Sequence, residues 1–114
     1  MKIIRFNCCG MDVHKNSVVA TIGITDKDTQ ITRYIQETFS TLNTDLLRLK
    51  QWLIVHDCFE VCMESTGKYW IPIFNILEDT VKVHLTHPKY VKAIKGKKTD
   101  KKDSKWICDI FKHD

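Results

Sequence analysis

The sequence lacks the features that mark membrane, secreted and repetitive proteins. Its 114 residues include four glycines and two prolines, and no apolar run approaches the roughly 18 residues that a membrane helix needs. There is no internal repeat and no low-complexity linker. We also expect no signal peptide, because the initial stretch MKIIRFNCCGMD reaches a carboxylate too soon. With 43% apolar residues the chain can bury a core. We therefore expect one soluble globular domain in the cytoplasm, with no membrane partner.

The five cysteines are an odd number, and nothing in the sequence indicates secretion. Most of them lie in apolar stretches, so we expect reduced thiols in the core. Cys58 and Cys62 are four residues apart, a spacing that would allow a zinc site. Their segment CFEVC has the pattern of a strand, however, which favours structural thiols over a zinc knuckle.

The positive charge is concentrated in one segment. Residues 89–105 hold eight lysines and two aspartates, a balance of +6, so the rest of the +4 chain sums to about −2. A concentrated basic segment favours a phosphate backbone as partner, and a solvated basic segment without a ligand is the alternative. The two aspartates need a separate explanation, since carboxylates repel a polyanion.

Hydrophobic periodicity predicts the element order strand, strand, strand, helix, strand, helix, strand, helix. The predicted strands are IIRFNCCGMDV, SVVATIGIT, ITRYIQETF, FEVCME and VKVHLT. The predicted helices are NTDLLRLKQWLIVHD, STGKYWIPIFNILED and TDKKDSKWICDIFKHD, with a further short helix in HPKYVKAI. A three-stranded meander followed by crossover-linked strands requires a mixed α/β sheet with helices on both faces. The ribonuclease H-like fold and the actin-like ATPase fold share this order.

Spacing within the helices predicts which residues are buried and where each helix begins. The first helix is expected to start behind Asn43 or Thr44 as N-cap, and the last behind Thr99. The apolar faces are predicted at Leu42, Leu46, Leu49 and Leu53 in the first helix and at Tyr69, Ile73, Phe74 and Leu77 in the second. Pro72 is tolerated if it lies in the first turn.

Four carboxylates are placed where they can meet. Asp12 lies where the first strand reaches its turn, and Glu64 closes the apolar strand FEVCM. Asp100 and Asp103 are three apart on a helix, a spacing that puts both on one face, toward the sheet. Hard divalent cations take oxygen ligands, and two-metal phosphodiester cleavage needs several carboxylates from different elements. The four acids predict a metal site, although each alone is explained as a turn, strand-end or first-turn residue.

The sequence resembles the DEDD transposases of bacterial insertion sequences, whose N-terminal domain is similar to the RuvC Holliday-junction resolvase. The resemblance rests on GMDVHKNSVVATI, VCMESTGKYWIPIFNILED and HPKYVKAIKGKKTDKKDSKWICDIF, which together span nearly the whole chain. It implies a ribonuclease H-like, RuvC-type fold. It also implies Asp12, Glu64, Asp100 and Asp103 as the catalytic ligands of Mg²⁺, with Mn²⁺ as a substitute.

The resemblance also implies partners and supporting residues. Ser65, Thr66 and Gly67 of the phrase ESTG would lie beside the metal, where a turn into a helix exposes N–H groups to phosphate. The expected contacts to the DNA backbone are Lys15, Lys68, Lys97, Lys98, Lys101, Lys102 and Lys105. Some family members are guided by a structured RNA, which would be a second nucleic-acid partner.

Members of this family are much longer and carry a nucleophilic serine in a C-terminal transposase domain. The serines at 65 and 104 do not match that motif. Residues 1–114 are therefore expected to be the N-terminal catalytic domain alone, which would bind metal and nucleic acid without completing transposition. The full-length protein is expected to be a homo-oligomer, and this part of it a monomer or weak dimer.

Three alternatives remain open. The first is a free-standing RuvC-like junction resolvase or nuclease, and the second is a nucleic-acid-binding domain whose acids are structural. The third is an actin-like nucleotide-binding module, which GMDVHKNSV resembles, although His14 and Lys15 stand where a phosphate loop needs glycine. His14 could also be a ligand or a proton shuttle, but a turn histidine is the commoner explanation.

Overall fold

The computed structural model describes residues 2–86 and 100–113, which form one mixed sheet covered by helices. The strands are β1 (Asn7–Val13), β2 (Ser17–Thr25), β3 (Thr32–Ser40), β4 (Glu60–Ser65) and β5 (Lys82–Thr86). The helices are α1 (Asn43–Val55), α2 (Trp70–Leu77) and α3 (Asp100–His113). The predicted order of elements is confirmed. The short helix expected in HPKYVKAI and the Thr99 cap lie outside the described residues.

The sheet has the spatial order β3-β2-β1-β4-β5. The first three strands pair antiparallel as a meander, and β4 and β5 then add in parallel on the other side of β1. Each parallel addition follows a crossover helix, as parallel neighbours require. The α/β mixed sheet expected from the sequence is therefore the observed one.

The two faces of the sheet carry separate apolar layers. On one face, alternate strand residues such as Met11 and Met63 pack against Leu49 of α1 and Ile73 of α2. On the opposite face α3 packs through a smaller cluster made of Cys8, Cys62, Ile107, Cys108 and Phe111. The prediction of helices on both faces is confirmed, and α3 alone covers the second face among the described helices.

β1 is shorter than predicted. The strand was expected to include residues 3–6, but the N–H groups of Ile4 and Arg5 donate to the Lys112 carbonyl at 2.8 and 3.1 Å. Those donors therefore pair with the end of α3 and not with a neighbouring strand. The early residues tie the helix to the sheet, so α3 is held at its C-terminal end.

The start of α1 differs from the prediction. Leu42 is the N-cap, and neither Asn43 nor Thr44 caps the helix. The Asp45 carboxylate in the first turn accepts a hydrogen bond from the Ser40 N–H at 2.7 Å, and this contact makes the corner between β3 and α1. Leu42 itself is 70% exposed, so the prediction that it belongs to the buried face is wrong.

α1 ends before its predicted boundary because the chain turns at a left-handed residue. Asp57 has φ of 57°, the Cys58 N–H donates to the Leu53 carbonyl, and the Asp57 N–H donates to the Ile54 carbonyl. This pair of hydrogen bonds is a Schellman motif, which satisfies carbonyl groups in the last turn of a helix that have no partner within the helix.

In α2, Pro72 is the third residue and therefore lies in the first turn, as expected. Ile73 and Leu77 are buried as predicted, and Phe74 packs partly buried against the same core. Tyr69 is the N-cap and is 41% exposed, so its assignment to the buried face is wrong. Among the described helices none is long and apolar enough to span a bilayer.

Candidate functional site

Two of the predicted acids are direct neighbours in the sheet. Asp12 of β1 is paired in parallel register with Glu64 of β4. Residues in register on adjacent strands project to the same face of a sheet, and Met11 and Val13 on either side of Asp12 point into the opposite core. Asp12 is 1% exposed and Glu64 is 5% exposed. Both carboxylates are therefore buried on the face that α3 covers.

The path of α3 brings its first turn toward these acids. The helix runs antiparallel to β1. Its late residue Lys112 accepts hydrogen bonds from residues 4 and 5, which precede β1, whereas the earlier Ser104 and Cys108 lie over Gly10 within the strand. A further turn toward the helix N-terminus advances about 5.4 Å, which is close to two residues along a strand. The beginning of α3 is therefore at the end of β1 that carries Asp12.

The orientation of α3 about its axis places Asp103 on the side of β4. Asp109 and Lys112 both contact the Tyr34 hydroxyl of β3, so that side of the helix faces the meander. Ile107 belongs instead to the cluster that contains Cys62 of β4. Asp103 lies one turn before Ile107 and is 4% exposed. A third buried acid thus lies at the same corner of the sheet as the first two.

The predicted metal ligands are therefore located as follows. Asp12, Glu64 and Asp103 are buried on one face at one end of the sheet, and Asp100 is the first residue of α3, with its side chain outside the described part. The described side chains, those of residues 2–86 and 103–113, form no group of three or more His, Cys, Asp or Glu at metal-binding spacing.

Glu64 has the property that a cation would explain. Its Oε2 atom is buried and has no hydrogen-bond partner among the described residues. A buried carboxylate oxygen without a donor is costly, and a divalent cation is one partner that offsets the cost. The donor set consists of hard carboxylate oxygens, which suits Mg²⁺ or Mn²⁺ better than softer metals. The residues present therefore fit the ion that the sequence predicts.

Asp12 has a partner that the sequence did not assign to it. His14 Nε2 lies 3.1 Å from Asp12 Oδ2, and the imidazole is 38% exposed, whereas the carboxylate is 2% exposed. With its proton on Nε2, the ring donates to the carboxylate and fixes its orientation. The only signal in the sequence is the two-residue spacing at a strand end, which keeps two side chains on one face.

The turn after Glu64 contains the three residues that are predicted to support the site, Ser65, Thr66 and Gly67. Ser65 is 7% exposed, and its hydroxyl donates to the Thr66 carbonyl at 3.2 Å. Gly67 has φ of +59°, a conformation that favours glycine, and a Cβ there would meet nothing within 4 Å. The turn therefore has open space beside Gly67, three residues after the buried acid.

The predicted basic contacts divide into three groups. Lys15 and Lys68 are exposed and follow Asp12 and Glu64 by three and four residues. Lys105 is also exposed, but it lies 3.6 Å from Asp109 and 4.4 Å over the Tyr34 ring, on the side of α3 away from Asp103. Lys97 and Lys98 lie outside the described residues, as do the side chains of Lys101 and Lys102.

The cysteines do not form a zinc site in this part of the chain. All five are free and buried, which confirms the expectation of core thiols. Cys58 precedes β4 and belongs to one apolar layer, whereas Cys62 within β4 belongs to the other, so the two thiols do not share a face of the sheet. Burial raises the pKa of Cys58 to about 12. A thiol with so high a pKa stays protonated near neutral pH, as is usual for a buried structural cysteine.

The fold is similar to that of solved resolvases. Fowlpox virus resolvase, in a complex with substrate Holliday junction DNA, matches with a TM-score of 0.64 and 13% identity over 92% of this chain and 97% of the resolvase chain. Thermus thermophilus RuvC matches with a TM-score of 0.59 and 13% identity over 90% of each chain. A Ppx/GppA family member from Aquifex aeolicus matches with a TM-score of 0.50 and 10% identity over 75% of this chain and 36% of that chain.

At these identities the similarity concerns the fold alone, which is the ribonuclease H-like fold of RuvC-type resolvases. No curated protein sequence matches the chain. The family model DEDD_Tnp_IS110, described as Transposase, matches residues 9–114. That range contains every predicted site residue. The chain therefore belongs to the DEDD transposase family of the IS110 type.

Proposed function

We propose that this chain is the catalytic domain of a metal-dependent DNA transposase, which acts on DNA phosphodiesters in insertion-sequence transposition. The observation that carries the proposal is the burial of Asp12 and Glu64 side by side, at the end of the sheet where α3 begins with Asp100 and Asp103. Membership of the transposase family supports the reaction class.

In this proposal the four acids hold Mg²⁺, and Mn²⁺ can replace it. When bound, the ions activate a hydroxyl nucleophile and neutralise the charge that develops on the phosphate. Asp12 and Glu64 supply oxygens from adjacent strands, while Asp100 and Asp103 supply oxygens from one face of α3. His14 holds the Asp12 carboxylate in one orientation through its 3.1 Å contact.

The lysines would hold the DNA on either side of the reacting phosphate. Lys15 and Lys68 follow the acids directly, and the run containing Lys97, Lys98, Lys101, Lys102 and Lys105 extends the positive surface. The turn of Ser65, Thr66 and Gly67 offers backbone N–H groups to the same phosphates. Metal bound by the acids converts their repulsion of DNA into attraction, which explains why aspartates lie within a lysine run.

The proposal extends to the organisation of the protein. Residues 1–114 would be the N-terminal domain of a longer transposase, whose C-terminal serine-bearing domain completes the reaction. The longer protein would be a homo-oligomer in the cytoplasm, with a structured RNA as a further partner. The isolated domain would then bind metal and DNA as a monomer or weak dimer.

A direct test compares two glutamates of β4. Glu60 and Glu64 lie on the same strand and face, but Glu60 is held by Arg5 at 3.0 Å and by His84 at 2.9 Å. We expect binding of a labelled four-way DNA junction to be stronger in Ca²⁺ than in EDTA, because the ion bridges acids and phosphate. Glu64→Gln should lose this difference and Glu60→Gln should keep it. Equal Ca²⁺ dependence in the wild type and Glu64→Gln would favour a nucleic-acid-binding domain with structural acids.

A second candidate function is a free-standing junction resolvase. The observation that favours it is the match over 97% of the fowlpox virus resolvase chain. Incubation of the 114-residue chain with a four-way junction and Mn²⁺ separates the two functions. Paired symmetrical nicks would identify a resolvase, whereas metal-dependent binding without cleavage would support a transposase domain.

A further inference from the structure

Three hydrogen-bonded side chains join α3 to the sheet one residue away from Asp103. Thr21 Oγ1 of β2 and Ser104 Oγ of α3 are 2.7 Å apart, and both residues are fully buried. The Gln36 amide of β3 donates to Thr21 at 2.8 Å and to Ser104 at 3.2 Å. We name these three residues the hydroxyl cluster.

The hydroxyl cluster lies where α3 touches the sheet most closely. Gly10, the residue opposite Thr21 in the sheet register, has the backbone of Ser104 and Cys108 directly above it. Contact between a helix backbone and a glycine is non-directional, so it fixes the height of the helix but not its rotation. Hydrogen bonds depend on direction, so the hydroxyl cluster is suited to fix that rotation near the first turn, as the contacts of Asp109 and Lys112 with the Tyr34 hydroxyl do at the other end of the helix.

Small rotations of α3 would matter at the acids. A side-chain atom about 6 Å from the axis moves by about 2 Å when a helix rotates by about 20°. Metal–ligand distances, in contrast, tolerate only about 0.2 Å. Because Ser104 follows Asp103 directly, an anchor at Ser104 also determines the direction of the Asp103 side chain.

We propose that the hydroxyl cluster is a positioning device, which sets the rotation of α3 and thereby directs Asp103 toward Asp12 and Glu64. This inference rests on the proposed metal-dependent function. It gives Thr21, Ser104 and Gln36 a role in orienting a metal ligand, which is separate from the role of the acids that bind the metal. None of the three residues is placed among the metal ligands.

Two substitutions at Thr21 separate positioning from packing. Thr21→Val keeps the shape of the side chain and removes the hydroxyl, whereas Thr21→Ser keeps the hydroxyl and removes a buried methyl group. Stability depends on both features, since lost packing and lost hydrogen bonds each destabilise. Metal affinity should depend on the hydroxyl alone if the hydroxyl cluster positions Asp103.

Thr25→Val is the matched control. Thr25 lies on the same strand and is 5% exposed, and its hydroxyl pairs at 2.8 Å with that of Thr32, so a partly buried hydroxyl pair is removed. The Thr32 hydroxyl also accepts from Lys112 in the last turn of α3 at 3.1 Å. The threonine pair joins β2 to β3 and involves no residue of the first turn of α3. We therefore expect Thr25→Val to alter stability without altering metal affinity.

The experiment is an Mn²⁺ titration by calorimetry on the four proteins, with urea unfolding measured in parallel. We expect Thr21→Val to weaken Mn²⁺ binding by roughly 10-fold or more, as the loss of groups that orient ligands does. Thr21→Ser and Thr25→Val should bind Mn²⁺ as the wild type does, even where their midpoints of unfolding are lower.

Two results would overturn the inference, and they differ in what they mean for the proposed function. Wild-type Mn²⁺ affinity in Thr21→Val would show that the hydroxyl cluster does not direct Asp103, while the metal site itself would stand. Absence of saturable Mn²⁺ binding in the wild type would overturn the metal-dependent function and, with it, the positioning role.

Discussion

Gly10→Ala tests how closely α3 must lie on the sheet. A Cβ at residue 10 would lie 2.3 Å from the Cys108 backbone nitrogen and 2.4 Å from the Ser104 carbonyl oxygen. Ordinary contact begins at 3.4 Å, so the helix would have to move away by about 1 Å. Neither atom belongs to a flexible side chain, so no rotamer change can relieve the clash.

The expected cost follows from that displacement. Overpacking of this type costs about 1–3 kcal/mol. The 2.7 Å contact between Thr21 and Ser104 would lengthen beyond hydrogen-bonding distance, which costs about 1 kcal/mol more. Replacing a strand glycine by alanine also stabilises the folded state by about 0.5–1 kcal/mol, because the unfolded chain has less conformational entropy to lose. We therefore expect Gly10→Ala to lower the free energy of unfolding by about 1–3.5 kcal/mol.

Gly23→Ala is the control, because its Cβ would meet the Cys108 sulfur at 2.8 Å and other atoms no closer than 3.5 Å. A cysteine side chain can rotate away, and the entropy gain is the same, so this variant should stay within about 1 kcal/mol of the wild type. Urea unfolding followed by circular dichroism measures both. Equal stability of Gly10→Ala and Gly23→Ala would refute the reasoning that α3 rests on the strand backbone.

Two further predictions concern alkaline stability and DNA binding. Burial raises the pKa of Cys58 to about 12, so the thiol favours the folded state below pH 9 and loses that contribution as pH rises from 9 toward 12. Between pH 9 and 12, under reducing conditions, the free energy of unfolding of Cys58→Ala should fall by about 1.4 kcal/mol less per pH unit than that of the wild type. Parallel pH profiles of the two proteins would contradict the raised pKa of Cys58. The Lys15→Gln, Lys68→Gln double variant should reduce the slope of log affinity for duplex DNA against log salt by about 2. Lys50→Gln, whose lysine pairs with Asp79 at 2.8 Å, should leave that slope unchanged, and an unchanged slope in the double variant would remove Lys15 and Lys68 from the DNA surface.

Local sequence patterns predict most of the elements because period and turn chemistry act over a few residues. β2 has the predicted bounds, since nine residues of strand-forming type are enclosed by turn residues. α1 begins earlier than its polar residues suggest, because Asp45 reaches back to the Ser40 N–H across the corner. Long-range contacts therefore change boundaries that local signals alone would set differently.

The candidate site is less accessible to sequence reasoning. The identity of the acids follows from their order and from the family resemblance, but the register of Asp12 with Glu64 is a contact between distant segments. The contact of His14 with Asp12, and the lack of a hydrogen-bond partner for Glu64 Oε2 within the described part of the chain, are also visible only in three dimensions. Spacing predicts which residues can share a face, whereas packing determines which of them meet.

The measurement that tests the central claim most directly is a calorimetric Mn²⁺ titration of the wild type, Asp12→Asn and Asp79→Asn in low salt without nucleic acid. Asp12 is buried beside Glu64, whereas Asp79 is an exposed partner of Lys50. All three proteins should be folded, and removal of one of several clustered carboxylates can even raise stability by relieving repulsion. We predict saturable Mn²⁺ binding by the wild type and Asp79→Asn that is lost in Asp12→Asn. Equal binding by all three proteins, or none by the wild type, would contradict a metal site built on Asp12.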